Sequence, residues 1–306
     1  MRLSVLIPTY NPDCGRLTQT LAGLKKQTLD TCNWELILID NNSSNNFQAR
    51  LDLAWHPSAK IVTENKQGLT YARLRGFNES TGDIIVMVDD DNILNNDYLE
   101  QVVSIFNQSP DLGAIGGKSL PWFETEPPAW LHEFHVNLAL RDLGDNPILS
   151  VWDQKYPDAA PIGAGMGIRR EALESYTEKI ASGKSKISDR TSISLSSGGD
   201  NEIVLEILKL GWQVGYCPQL QLQHIIPAQR MEVAYLARLV RQTNKSWVQL
   251  LQSHGINPWR RISHLGVLPR KIKAWFIYKA WQSQPSYIKW QAACGLYEGL
   301  AGLPSD

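Results

Sequence analysis

The sequence predicts an α/β fold: a mostly parallel, Rossmann-like central sheet flanked by helices, followed by a helical tail. Three observations carry this. Short apolar runs alternate with helix-period segments through the first hundred residues. The clearest of the runs end in polar clusters. Beyond residue 231 no comparable strand run recurs.

The elements follow in order. Leu3–Ile7 reads as the first strand. In "GRLTQTLAGLKKQ", Leu17, Leu21 and Leu24 recur at helical spacing. Trp34–Ile39 reads as a second strand and Lys60–Thr63 as a short third. The helix expected over Gly68–Ser80 carries Leu69, Ala72, Gly76 and Phe77 on one stripe. Ile84–Val88 is the fourth strand. The pattern then changes. "SLPWFETEPPAWLHEF" cannot be one regular element, because Pro121, Pro127 and Pro128 break helices and central strands. "PIGAGMGIRREAL" reads as a glycine-rich loop opening a helix. A polar stretch precedes a helix from Asp200 to Leu210, and "WQVGYCPQLQLQH" reads as a strand reaching His224. No clean linker interrupts residues 1–230, read as one domain with halves 1–110 and 111–230; residues 231–306 form a helical extension.

Bulk properties narrow the function. Apolar residues make up 43% of the 306 and charged residues 20%, which suits a globular core. A formal charge of −1 gives no global field to attract nucleic acid. Cysteines 14, 32, 217 and 294 lack disulfide-framework or metal spacing and suit a reducing compartment. The first apolar run is too short for a secretory signal, and no 18-residue apolar run occurs. The cytoplasm is the expected location, peripheral on the inner face of its membrane if the tail docks there.

In open sheets, ligands gather beyond the carboxyl ends of the strands. There the sequence places Pro8, Thr9, Tyr10 and Asn11, then Asp40–Ser44, then Asp89–Asn92. Three adjacent carboxylates repel one another. A solvated turn accommodates them, and so does a divalent cation, which takes hard oxygen ligands. Three polar clusters on one sheet edge favour a binding site over a turn.

The ordered set "PTYN", "DNNSS", "GLTYARLRG", "DDDN", "GAGMGIRR", "GGDNE" and a late histidine resembles the family 2 glycosyltransferases over residues 3–230. The resemblance implies a GT-A fold. It implies inverting transfer from a nucleotide sugar, UDP-linked in the commoner case, to a hydroxyl of a saccharide or polyprenyl-linked saccharide in cell-surface polysaccharide synthesis. Mn²⁺ or Mg²⁺ is the implied cofactor. Thr9, Tyr10 and Asp40 fall where the family holds base and ribose, with Pro8, Asn11 and Asn42 in the same loops. Arg73 falls in a helix that grips the nucleotide. Asp89 and Asp91 match the outer aspartates of the Asp-x-Asp element, Asp91 as direct metal ligand and Asp89 reaching ribose or metal, with Asp90 between them on the nucleotide sugar. Gly163, Ala164 and Gly165 would shape the donor–acceptor pocket, Asp200 would be the catalytic base, and His224 would complete metal binding.

Each residue also has a plain structural reading. Asp200 could cap a helix, the glycines could serve a turn, His224 could be a core histidine, and Arg73 could form a structural ion pair. The family's usual Glu-Asp is Gly199-Asp200 here, with Glu202 as a candidate substitute for the lost carboxylate. A Gln-x-x-Arg-Trp element is missing, which implies one sugar per encounter. The segment 268–290 mixes Trp and Lys as a membrane-interface helix does, and equally as a helix packed on the catalytic domain. Two other functions compete: a sugar nucleotidyltransferase, and a non-catalytic carbohydrate-binding protein with its eleven tryptophans.

Overall fold

A computed structural model describes residues 1–183 and 198–304; the polar stretch expected ahead of Asp200 lies largely outside them. The chain divides into two compact units. One comprises Met1–Trp122, Ala139–Ser185 and Ile203–Ile225; the other comprises Phe123–Leu138, Lys186–Glu202 and Ile226–Asp306.

The first unit is built on a nine-stranded sheet among the described residues. Its elements begin with β1 (Leu3–Thr9), α1 (Cys14–Lys25), β2 (Trp34–Asp40), β3 (Ala59–Thr63) and α2 (Leu69–Glu79). β4 (Ile84–Met87), β5 (Asn92–Leu94), α3 (Tyr98–Gln108) and β6 (Leu112–Phe123) follow. Then come β7 (Ile148–Ser150), β8 (Gly167–Arg169), α4 (Glu174–Ala181), α5 (Gly199–Lys209), whose first turn through Glu202 belongs to the other unit, and β9 (Gln213–Ile226). The strand order is β3-β2-β1-β4-β8-β6-β9-β5, with β7 on β9.

The parallel part is the one the sequence displays: β1 pairs parallel with β2 and β4, and β2 with β3. Beyond β4 the sheet continues antiparallel, through β4–β8, β8–β6, β9–β5 and β9–β7. Strand alternation sends Leu3, Val5 and Ile7 to one face and Leu6 to the other. The first face buries Leu17, Leu21 and Leu24 of α1 and Val102 and Phe106 of α3. The second buries Ala72 and Phe77 of α2, Tyr176 of α4, and Ile203, Val204 and Ile207 of α5. Each large aliphatic side chain so covered stabilises the fold by about 1.5–3 kcal/mol. Asp13 caps α1, accepting the Arg16 N–H at 3.0 Å.

Two local expectations change. β6 runs through Pro121 and ends at Phe123, because Pro121 sits near the strand's end and needs no ladder donor there. A 3₁₀ segment, Ala129–Leu138, begins after the Pro127-Pro128 pair. The "GAGMG" loop does not open a helix directly: it enters β8, and a helix follows only at Glu174.

The second unit contains α6 (Val233–Ser253), α7 (Val267–Ile277) and α8 (Gln284–Ala301). Gly295 permits α8 to lie against α6, since a Cβ there would collide with the Arg241 carbonyl. Val248, Leu300 and Leu303 form its apolar centre. Glu298 of α8 accepts from both Arg241 and Lys271. No helix of the described residues is long and apolar enough to cross a membrane.

Candidate active site

The carboxyl ends of β1, β2 and β4 lie side by side, because these strands are parallel neighbours. Their loops are fastened to each other by short polar bonds. Asn11, with φ +46°, accepts the Ser44 N–H at 2.8 Å on Oδ1 and donates its own N–H to Ser43 Oγ at 2.8 Å. Asp40 accepts the Ser43 N–H at 2.9 Å and a bond from Gln48. Asn41 is buried, and its amide spans three segments. Its Nδ2 donates to the carbonyls of Glu64 and Lys66 at 3.1 and 2.8 Å, and its Oδ1 accepts the Gly68 N–H at 2.7 Å. Gly68 leads into α2, which carries Arg73, buried at 5% exposure. Tyr10 and Asn42 are exposed at the rim, Asn42 with φ +61°, while Pro8 and Thr9 are buried.

The Asp triplet has three different surroundings. Thr9 at the tip of β1 donates to Asp90, a part-buried bond. Asp89 donates its N–H to Asn92 Oδ1 at 3.2 Å and is half-buried. Asp91 is buried at 5% exposure, and its Oδ1 lies 3.4 Å from His224 Nε2. That proximity is made by the sheet. β5 pairs antiparallel with β9 so that Asn92 faces His224, and the Asp91 carbonyl accepts the Ile225 N–H at 2.9 Å. Two residues 133 positions apart in sequence are thereby fixed on neighbouring rigid strands.

The glycine-rich loop sits at the same edge. Gly165 donates to the Met87 carbonyl at 2.9 Å, and Met87 donates to Met166 at 2.9 Å, two residues before Asp89. Gly165 has φ +76°, and a Cβ there would lie 2.5 Å from Tyr98 Oη. Tyr98 donates to the Gly165 carbonyl at 2.7 Å, and burial pushes the phenol's pKa upward. Ala164 packs into the core and Gly163 is buried too, so these two line the loop's inner side.

Asp200 occupies the first turn of α5, with Glu202, and its Oδ1 accepts the Asn201 N–H at 3.0 Å. The helix begins at Gly199, so Asp200 is inside the first turn and not at the N-cap. Glu202 is buried at 1% exposure, which argues for an internal role over a rim contact.

A hard carboxylate oxygen and an imidazole nitrogen suit Mn²⁺ or Mg²⁺, with the nitrogen favouring Mn²⁺. Neighbouring donors on an octahedral ion with ~2.1 Å bonds sit about 3 Å apart, close to the Asp91–His224 separation. These two residues supply two of the donors a divalent cation takes; among the described residues the group of three close ligand side chains is Glu202, Glu206 and His254.

Sequence reasoning missed several contributors. Asn41 was passed over for its flanking residues, although an Asn following a strand is a typical turn former. Arg169 and Arg170 of "GIRR" are structural. Arg169 donates to carbonyls at the end of α3, from Phe106 at 3.1 Å, and Arg170 to carbonyls at the end of α2, from Phe77 at 3.3 Å.

A parallel half-sheet with polar loops on its carboxyl edge, joined to antiparallel strands that bring an aspartate and a histidine together, is the architecture of a GT-A fold. Residues 4–177 match the family model for glycosyl transferase family 2, and the chain belongs to that family. Among curated relatives, a glucosyl-dolichyl phosphate glucuronosyltransferase of Haloferax volcanii is 26% identical over 139 residues, which is 44% of this chain and 44% of that one. The chain thus matches under half the length of such relatives. The mannosyltransferase PcManGT from Pyrobaculum calidifontis, solved in complex with GDP-Man and Mn²⁺, superposes with a TM-score of 0.61 at 16% identity. That likeness covers 97% of this chain and 86% of the other. S. aureus TarS 1-349 in complex with UDP-GlcNAc gives 0.56 at 11% identity, covering 98% and 90%. At these identities the likeness is one of fold.

Proposed function

We propose that the protein is an inverting, non-processive glycosyltransferase. It moves a sugar from a nucleoside-diphosphate sugar to a hydroxyl of a saccharide or polyprenyl-linked saccharide in cell-surface polysaccharide synthesis. The observation that carries this is the Asp91–His224 pair, 3.4 Å apart at the carboxyl edge of the sheet. A lectin has no use for that pair, and the loop after β1, "PTYNPDCGR", has one Gly and an early Pro in place of the Gly-rich, Lys/Arg-containing phosphate loop of a nucleotidyltransferase.

In this reading residues 1–230 are the catalytic domain and 231–306 its helical extension. Tyr10, exposed at the rim, stacks on the base, while Pro8, Thr9, Asn11, Asp40 and Asn42 shape the slot for base and ribose. Arg73 faces the nucleotide from α2. Asp89 and Asp90 contact ribose and sugar, and Gly163–Gly165 let the backbone approach the transferred sugar. Asp91 and His224, with Asp89 at its edge, would hold Mn²⁺ or Mg²⁺, which when bound neutralises charge on the departing diphosphate. Asp200, at the start of α5, accepts the proton of the attacking hydroxyl. The hydroxyl oxygen forms its bond to the anomeric carbon as the bond to the diphosphate breaks on the opposite side, so the configuration inverts.

A UDP donor is supported by the TarS complex, a GDP donor by PcManGT, and a lipid-linked acceptor by the Haloferax relative's name. All four cysteines are free thiols, which supports a cytoplasmic location.

The test is nucleotide release from a panel of UDP- and GDP-sugars with Mn²⁺, an acceptor extract, and chelator controls. The reading predicts chelator-sensitive release of nucleoside diphosphate, with Asp200→Asn slowed ~10²–10⁴-fold. Pyrophosphate release from a nucleoside triphosphate and a sugar phosphate would make the protein a nucleotidyltransferase. Saccharide binding without turnover would make it a binding protein.

A further inference from the structure

From Val233 to Tyr297 the chain has no Asp or Glu and ten Lys or Arg. The whole chain has a formal charge of −1, so the residues outside that segment carry −11 together. The cationic charge is concentrated in the helical unit, and there it coincides with exposed apolar surface. On α7, Leu268, Ile272 and Phe276 recur at four-residue spacing and are 66%, 53% and 63% exposed. Trp281, 54% exposed, packs on Phe276 with ring centroids 5.8 Å apart and extends the same surface.

The side of α7 that borders this stripe is already satisfied. Ala274 is buried, and Trp275 meets Trp290 of α8 edge to face at 4.8 Å. Trp290 Nε1 donates to the Lys271 carbonyl at 2.9 Å, and Lys271 Nζ is held by Glu298. The exposed stripe is therefore not needed to hold the helix in place. Interleaved with it are Arg270, Lys273 and Lys279, all exposed. Contiguous apolar surface of this kind marks an interaction site. Its occupant follows from charge: a cationic rim around Leu, Ile, Phe and Trp fits an anionic lipid–water interface. A second copy of the same face would bring like charges together.

We propose that the α7 face of this unit docks on an anionic lipid bilayer, with Leu268, Ile272, Phe276 and Trp281 inserted among acyl chains and Arg270, Lys273 and Lys279 against headgroup phosphates. This does not rest on the sugar-transfer reading.

The test is flotation of the full chain with vesicles of phosphatidylcholine alone or mixed with phosphatidylglycerol. Wild type floats with the mixed vesicles on the order of tenfold or more better than with the neutral ones, and high salt lowers recovery. The double variant Ile272→Asp/Phe276→Asp stays in the soluble fraction. Lys273→Gln/Lys279→Gln loses the preference for phosphatidylglycerol. Leu210→Asp, an exposed apolar change in the other unit, floats like wild type. Circular dichroism and melting check that each variant folds. Wild type left in the soluble fraction with both vesicles overturns the proposal, and so does flotation of the double Asp variant. A dimer that Phe276→Asp dissociates, with no lipid binding, assigns the face to self-association instead.

Discussion

At the scale of residues, the sheet is held at both ends of its strands by side chains whose polar atoms are committed to named partners. Glu35 is the clearest structural case. It is 6% exposed, and its Oε1 accepts from Ser4 Oγ at 2.7 Å, Thr81 N–H at 2.6 Å and Thr81 Oγ1 at 2.9 Å. Burial alone would raise its pKa. The Thr81 and Ser4 bonds and nearby Lys60 outweigh that and hold it below the usual glutamate range. A depressed carboxylate adds stability that is complete above its unfolded value of about 4.3 and is lost as pH falls through the lower folded value. Glu35→Ala should therefore cost about 1–3 kcal/mol at neutral pH, read by urea unfolding. The gap from wild type should narrow in acid, below pH ~4. Asn41→Ala should open the loops that Glu64, Lys66 and Gly68 anchor, weakening nucleotide binding more than it lowers the melting temperature. Calorimetric titration with UDP and GDP beside a thermal melt separates the two effects.

At the scale of elements, the glycine-rich loop tests how tightly β4, β8 and α3 are joined. Gly165→Ala places a Cβ in a left-handed backbone conformation and against Tyr98 Oη, so a loss of about 1–3 kcal/mol is expected. Tyr98→Phe, which removes only the bond to the Gly165 carbonyl, should cost about 1 kcal/mol. Chemical denaturation of both variants checks the order. Elements also divide what sequence could reveal from what it could not. β1, β2 and β4 are visible because each holds a near-continuous apolar run, while β3 shows only Ile61 and Val62. β5, β7 and β8 are three residues each, too short to show any period. The two Arg residues after Gly167 cap helices by long-range bonds that no local pattern signals. Asp91 stands out as part of a triplet, and His224 as a histidine late in a strand. Their adjacency depends on the β5–β9 register, a pairing between distant segments.

At the scale of the whole molecule, charge is partitioned along the chain. Between Glu232 and Asp306 the only acidic residue is Glu298, and it is committed to Arg241 and Lys271. Burial opposes its ionisation, but the two cations hold its pKa low. Glu298→Gln should leave the helical unit with two crowded cations and cost about 1 kcal/mol, seen as a lower melting temperature that added salt partly restores. In the proposed reading, the β5–β9 pairing brings Asp91 and His224 together to hold a divalent cation. The most direct measurement is isothermal titration of Mn²⁺ into wild type and Asp91→Asn, each saturated with a nucleoside diphosphate. Wild type should bind one ion, and Asp91→Asn should bind it at least tenfold more weakly while its melting curve stays within a few degrees. Equal Mn²⁺ affinity in the two proteins would contradict the account.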